Sequence, residues 1–105
     1  MSTRMDKTIR TLDALGGVPE LGVVLRAIRE GEEVSQAVFA KRLKMSVSHL
    51  SDLERGVKGV SVERAARFAK VLGYPVSQFV EMAIRQQLAD AGFKRAKVTI
   101  DLAAA

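Results

Sequence analysis

Residues 36–56 read QAVFAKRLKMSVSHLSDLERG, which is two short amphipathic segments joined by a three-residue break. In the second segment, Leu50 and Leu53 are spaced so that they share the buried side of a helix. The first segment supplies a similar small apolar face, which consists of Ala37, Phe39, Ala40 and Leu43. The pattern therefore predicts a pair of short helices that cross at a steep angle.

Two small residues favour this pairing. Ala40 lets the two helix backbones approach closely, which a larger side chain would obstruct, although alanine is also simply a good helix former. Ser46 precedes the second helix, and its hydroxyl is suited to accept hydrogen bonds from backbone N–H groups of the first turn. The outward face of the second helix is then short and mostly polar, and it consists of Val47, Ser48, Ser51, Asp52 and Arg55.

Helical patterns continue on both sides of this pair, and with this spacing residues 21–79 resemble the lambda-repressor and Cro-like helix-turn-helix family, often called the XRE family. The resemblance implies an all-α, five-helix DNA-binding domain, which we assign to residues 18–91. We expect residues 1–17 to form an N-terminal extension with an additional weak helix. Residues 92–105 are expected to form a tail that is either a short strand or disordered.

The resemblance also implies roles for individual residues. Gln36 matches the family's glutamine that touches the DNA backbone and buttresses the recognition helix, and Arg55 falls where the family grips a phosphate. Arg29 and Glu54 match a partly buried ion pair that ties the first helix of the domain to the recognition helix. The expected DNA-binding residues are Gln36, Ser46, Val47, Ser48, His49, Ser51, Asp52, Arg55 and Lys58.

Three of these residues have plainer interpretations that the sequence leaves open. Asp52 is repelled by phosphates unless it meets a base donor, and it is equally suited to be a surface partner of Arg55. His49 either contacts DNA or packs against the first motif helix. Lys58 is either a phosphate ligand or an ordinary exposed lysine of a loop.

The chain departs from the family at two points. Lys44 stands in the turn where a glycine is common, so a non-glycine residue has to accept a left-handed backbone conformation. The recognition helix also lacks the glutamines and arginines typical of bidentate base readers. It offers instead Val47 for a thymine methyl group, Ser48 for a donor or an acceptor, and Asp52 for a cytosine amino group.

Charge and composition agree with a polyanionic partner. The 105 residues carry a net charge of +5, and the basic excess begins at the motif, because residues 34–58 hold five basic and two acidic residues. The chain has no cysteine and one histidine, so we expect no metal site and no cofactor. It has no signal-like N-terminus and no run of about 20 apolar residues, which predicts a soluble, cytoplasmic protein without a membrane partner.

The flanking sequence predicts further helices, including the weak one over residues 3–15. Serine before an apolar periodic segment predicts a helix start, proline suits a first turn, and glycine is typical of a helix end. The predicted starts are at Pro19, Ser61 and Ser77. The predicted ends are at Gly31, Gly73 and Gly92.

The last helix carries more apolar surface than one core needs, and members of this family often dimerise through it. Beyond it, Val98, Ile100 and Leu102 alternate with polar residues, which suggests a strand. Such a strand pairs across a dimer, extends the sheet of another protein, or is disordered. We expect a homodimer with interface residues Phe79, Val80, Ala83, Ile84, Val98 and Ile100, of which Phe79 also suits an ordinary core position.

The leading interpretation is a sequence-specific transcriptional regulator, most simply a dimeric repressor of a palindromic operator, with recognition helices about 34 Å apart. The alternative is an antitoxin that binds a toxin protein through a terminal extension and represses its own operon, as many small members of this family do. Catalysis is not expected, because no residue pattern supports a reaction. The acidic cluster of Glu30, Glu32 and Glu33 is typical of a solvated loop.

Overall fold

The computed structural model describes residues 20–102 of the chain. These residues form five α-helices and no strand, which confirms the predicted all-α, five-helix fold. The helices are α1 (Leu21–Gly31), α2 (Gln36–Arg42), α3 (Val47–Glu54), α4 (Val62–Leu72) and α5 (Val76–Asp90). The helix predicted over residues 3–15, and the start predicted at Pro19, lie outside the described residues.

All five helices contribute to one hydrophobic core. α1 packs on α3 and α5, α2 packs on α3, and α4 packs on α5. Burial of each large apolar side chain contributes about 1.5–3 kcal/mol, so this core supplies the main stabilisation of the domain. Its largest fully buried side chains are Leu25, Phe39, Leu43, Leu50, Leu53, Phe68 and Phe79.

Serine side chains begin three of the helices. The hydroxyl of Ser46 accepts a hydrogen bond from His49 N at 3.0 Å, and that of Ser61 accepts one from Arg64 N at 3.2 Å, as predicted. Ser35 caps α2 in the same way. Each bond satisfies a first-turn N–H group that has no partner inside the helix.

The predicted start of α5 at Ser77 is wrong. The helix begins at Val76, and Pro75 occupies the N-cap position with φ −60°. Proline has a φ close to the helical value and lacks the N–H group that a first turn leaves unpaired, so the chain enters the helix before it reaches the serine.

The turn between α2 and α3 uses a left-handed residue. Lys44 has φ 58°, as expected from its place in the motif. Its N–H donates to Lys41 O at 3.1 Å and the N–H of Met45 donates to Ala40 O at 3.0 Å, which satisfies two terminal carbonyls of α2. Glu33, before α2, also has φ 58°. A non-glycine residue in this region costs roughly 1–2 kcal/mol.

The described part of the tail, residues 93–102, contains no helix and no strand within this chain. α5 ends at Asp90, close to the predicted end at Gly92, which has φ 98°. Phe93 follows with 61% of its surface exposed. A strand formed by pairing with another chain stays a prediction.

Candidate nucleic-acid interface

Helix α3 has one buried side and one exposed side. Leu50 and Leu53 lie in the core with 0% and 1% exposure. On the opposite side Val47 is 45% exposed and Ser48 is also exposed, while Ser51 lies partly open to solvent. The residues expected to read DNA bases therefore lie on the outer surface of α3, where a nucleic acid can reach them.

A glycine that the sequence analysis overlooked sets the distance between α1 and α3. Gly22 lies in the first turn of α1, and a Cβ atom at this position would lie 1.8 Å from the carbonyl oxygen of Leu53. No side chain fits at that distance, so only glycine allows α1 to touch the end of α3. The available signal was a glycine inside an otherwise helical pattern, which often marks close packing.

A buried carboxylate joins three helices at the back of α3. Arg29 of α1 donates from Nε to Glu54 Oε2 at 2.8 Å and from Nη2 to Glu54 Oε1 at 3.0 Å. Gln36 of α2 donates from Nε2 to Glu54 Oε1 at 3.1 Å. Arg29 also donates to Val34 O, in the turn before α2. The expected ion pair is thus a bidentate contact, and Gln36 braces α3 through it.

The surroundings of Glu54 and Arg29 favour the charged form of both side chains. Burial by itself acts to raise the pKa of Glu54, but the hydrogen bonds from Arg29 and Gln36 outweigh it, so the pKa falls below its ordinary value. The hydrogen bond to Glu54 raises the pKa of Arg29, against the opposing effect of burial. Removal of one partner would leave the other charge buried and unpaired, which costs about 3–5 kcal/mol.

Gln36 keeps donor capacity for a second contact. Its side-chain amide carries two N–H groups, one of which is used by Glu54, and the residue is partly exposed at the start of α2. The second N–H group of this amide is therefore available to donate to a ligand.

Asp52 lies between two cationic side chains at the end of α3. Arg55 donates from Nη2 to Asp52 Oδ1 at 2.8 Å, and Lys58 Nζ lies 3.4 Å from Asp52 Oδ2. Arg55 also donates from Nε to Ser51 Oγ at 3.2 Å. The predicted partnership of Asp52 with Arg55 is present, and Lys58 joins it.

His49 contacts α4 through a residue that the sequence analysis did not single out. Arg64 Nη1 lies 2.9 Å from His49 Nε2. The pKa of His49 is lowered, first by burial and then by the positive charges of Arg64 and Lys58, against a smaller opposing effect of Asp52. Because a guanidinium has only donor groups, the His49 ring accepts this hydrogen bond, and the exposed guanidinium of Arg64 adds to the cationic surface beside α3.

The expected dimer residues fall into two groups. Phe79 and Ala83 lie in the core of the single chain with 0% and 2% exposure. Val80 is also buried. The others are partly exposed, namely Ile84, Val98 and Ile100. The exposed group is the part of this set that remains open to a second chain.

The acidic residues near the end of α1 form ion pairs on the protein surface. Glu32 accepts from Arg42 at 2.9 Å, and Glu30 lies 3.5 Å from Arg26. In the described part of the chain, no cluster of histidine or carboxylate side chains is arranged to hold a metal ion. None of the helices in residues 20–102 has the length and apolar character needed to cross a bilayer.

Comparison with known proteins identifies the domain. A family model for the helix-turn-helix domain matches residues 20–81, which include α1 to α4 and the start of α5. Searches of curated proteins and of solved structures gave no significant match. The family match agrees with the α2–α3 pair and with the exposed face of α3, and it supports DNA binding. The chain belongs to the helix-turn-helix domain family.

Proposed function

We propose that this protein is a sequence-specific transcriptional regulator of the lambda-repressor-like (XRE) type, which acts as a dimeric repressor in the cytoplasm and needs no catalysis or cofactor. The observation that carries this proposal is the exposed face of α3. The opposite side of the helix packs closely on Gly22 and is fixed by the buried Arg29–Glu54 pair. A rigid helix with short side chains is suited to enter the major groove of DNA.

The proposed DNA contacts are of two kinds: phosphate contacts position the protein, and base contacts read the sequence. We assign phosphate contacts to Gln36, Arg55 and Lys58, which carry donor groups near the C-terminal end of α3. Base reading is assigned to the surface of α3 and its cap, with His49 and Ser51 in supporting positions beside Arg64 and Arg55. The base-reading residues proper are Ser46, Val47, Ser48 and Asp52.

The proposed dimer would present two copies of α3 to successive major grooves. Recognition helices about 34 Å apart match one turn of DNA, and a two-fold axis would select a palindromic operator. Ile84, Val98 and Ile100 retain partly exposed apolar surface for such an interface. Sedimentation of the full chain across a concentration range tests this state.

Selection of bound fragments from random duplex DNA tests the proposal directly. We expect recovery of an inverted repeat. If about eight phosphates are contacted, a plot of log affinity against log salt concentration should have a slope of about −7. Failure to retain any duplex, even in dilute buffer, would overturn the proposal.

Two variants separate the proposed roles. Ser48→Ala should relax the preference at one base position by roughly 1–3 kcal/mol, because it removes a base contact. Arg55→Ala should weaken all duplexes to a similar extent, because a phosphate contact carries no sequence information. A binding preference unchanged by the first variant, together with unchanged affinity in the second, contradicts this assignment.

The exposed tail supports a second candidate, an antitoxin that binds a toxin protein and represses its own operon. Phe93 is 61% exposed, and residues 93–102 have no regular structure of their own. Deletion of residues 93–105 should abolish co-purification with the product of a neighbouring gene and spare DNA binding. Retention of that product by the truncated chain, or the lack of any such neighbour, contradicts this candidate.

A further inference from the structure

The charges at the end of α3 are arranged around one carboxylate. The side chain of Asp52 is 20% exposed, whereas those of its partners Arg55 and Lys58 are 60% and 59% exposed. The two cations therefore cover the carboxylate and themselves face solvent. Two of the three side chains proposed to contact phosphates, Arg55 and Lys58, are thus already paired with an anion within the protein.

The backbone builds this arrangement. The N–H groups of Val57 and Lys58 donate to the carbonyl oxygen of Asp52 at 2.9 and 3.3 Å, and Gly56 adopts φ 74° between them and the helix. This is the hydrogen-bonding pattern that closes a helix end with a left-handed glycine. It turns the chain back on itself and holds Lys58 beside the Asp52 side chain.

We propose that Asp52 restrains binding to non-specific DNA, because its carboxylate opposes the transfer of Arg55 and Lys58 to phosphates unless the duplex offers it a base donor. This inference rests on the proposed function and concerns how the same surface discriminates between sequences. This restraint differs from a base contact, because Asp52 lowers the affinity for every duplex that lacks the donor.

The physical basis is competition between anions. Exposed ion pairs are weak, so DNA phosphates can take both cations from Asp52. The released carboxylate then lies close to the phosphates and is repelled by them. An amino group of cytosine or adenine in the major groove donates to a carboxylate and offsets that repulsion, while guanine and thymine present no donor there. The penalty is therefore retained on random DNA and removed at the preferred site.

Asp52→Asn tests this directly, because it removes the charge and keeps the side-chain shape. Affinity for a random-sequence duplex is measured by fluorescence anisotropy from about 0.05 to 0.2 M salt, with the full chain throughout. The matched control is Glu30→Gln, which also removes one carboxylate and frees an arginine, Arg26, but on α1. Asp52→Glu keeps the charge and serves as the second variant.

We expect Asp52→Asn to bind the random duplex about fivefold more tightly, with a log–log salt slope steeper by about 0.9, one further neutralised phosphate. The ratio of its affinities for selected and random duplexes should fall, and the selected sites should lose their preference for a base with an amino donor, cytosine or adenine, at this position. Glu30→Gln should stay within about twofold of the wild type, and Asp52→Glu, which keeps the charge, should not show the tighter random-duplex binding or the steeper salt slope of Asp52→Asn.

An unchanged random-duplex affinity in Asp52→Asn, or an equal rise in Glu30→Gln, overturns the role of Asp52 and leaves the proposed function standing. A wild-type chain that binds no duplex overturns the proposed function, and this inference with it. Thermal unfolding of each variant shows whether the domain is intact, and a folded Asp52→Glu variant that behaves like Asp52→Asn also contradicts the proposal.

Discussion

Gly22→Ala separates local helix preference from tertiary packing, because the two predict opposite effects. Alanine is favoured over glycine in a helix by about 1 kcal/mol, so α1 alone would be stabilised. In the folded domain, the added Cβ would lie 1.8 Å from Leu53 O, more than 1 Å closer than any real contact. α1 and α3 must then move apart. Overpacking costs about 1–3 kcal/mol, and a clash with a backbone atom places this case at the upper end, about 3 kcal/mol. The net expectation is a loss of about 2 kcal/mol.

Urea unfolding followed by circular dichroism measures this change. The midpoint should fall while the m-value stays constant, and the melting temperature should fall by about 10 °C for a domain of this size. Gly59→Ala is the matched control, because nothing lies within 4 Å of a Cβ atom there and the backbone needs no positive φ. Equal or greater stability of Gly22→Ala relative to the wild type would refute the close-approach argument.

Three further predictions follow from the same geometry. Glu54→Gln should lower the free energy of unfolding by about 3 kcal/mol at pH 7. Since the pKa of Glu54 is lowered in the folded protein, this difference should be complete above the ordinary pKa of 4.5 and disappear as the pH falls through the folded pKa. Urea unfolding from pH 7 to pH 3 in which the difference stays constant would contradict this. Lys44→Gly should stabilise the domain by up to about 1 kcal/mol, because it relieves the left-handed conformation of this residue. Lys41→Gly, in the last turn of α2, should destabilise the domain by a similar amount, so the two melting temperatures should move in opposite directions. An NMR titration should give His49 a pKa below its ordinary value of 6.5, and this pKa should rise in Arg64→Gln. The same pKa in the variant and the wild type would exclude Arg64 as a cause.

Features that depend on a few neighbouring residues were predictable. The serine caps at Ser46 and Ser61 each involve atoms three residues apart along the chain, so local patterns contain the necessary information. The left-handed turn at Lys44 is equally local, and the family resemblance indicated it. The error at Ser77 has the same origin, because two local signals competed and the constrained backbone of Pro75 prevailed over a capping side chain. The Arg29–Glu54 pair is the exception, since its residues are 25 positions apart and only the family resemblance indicated it.

The amino-acid order by itself determined the helical periodicity, the caps and the polar outward face of α3, because each of these follows from the spacing of side chains along one short segment. Only the folded chain decided that Gly22 sets the separation of α1 and α3, that Arg64 reaches His49, and that Lys58 joins Arg55 around Asp52. These contacts depend on the relative placement of separate elements, which arises when the common core excludes water and which no single segment encodes.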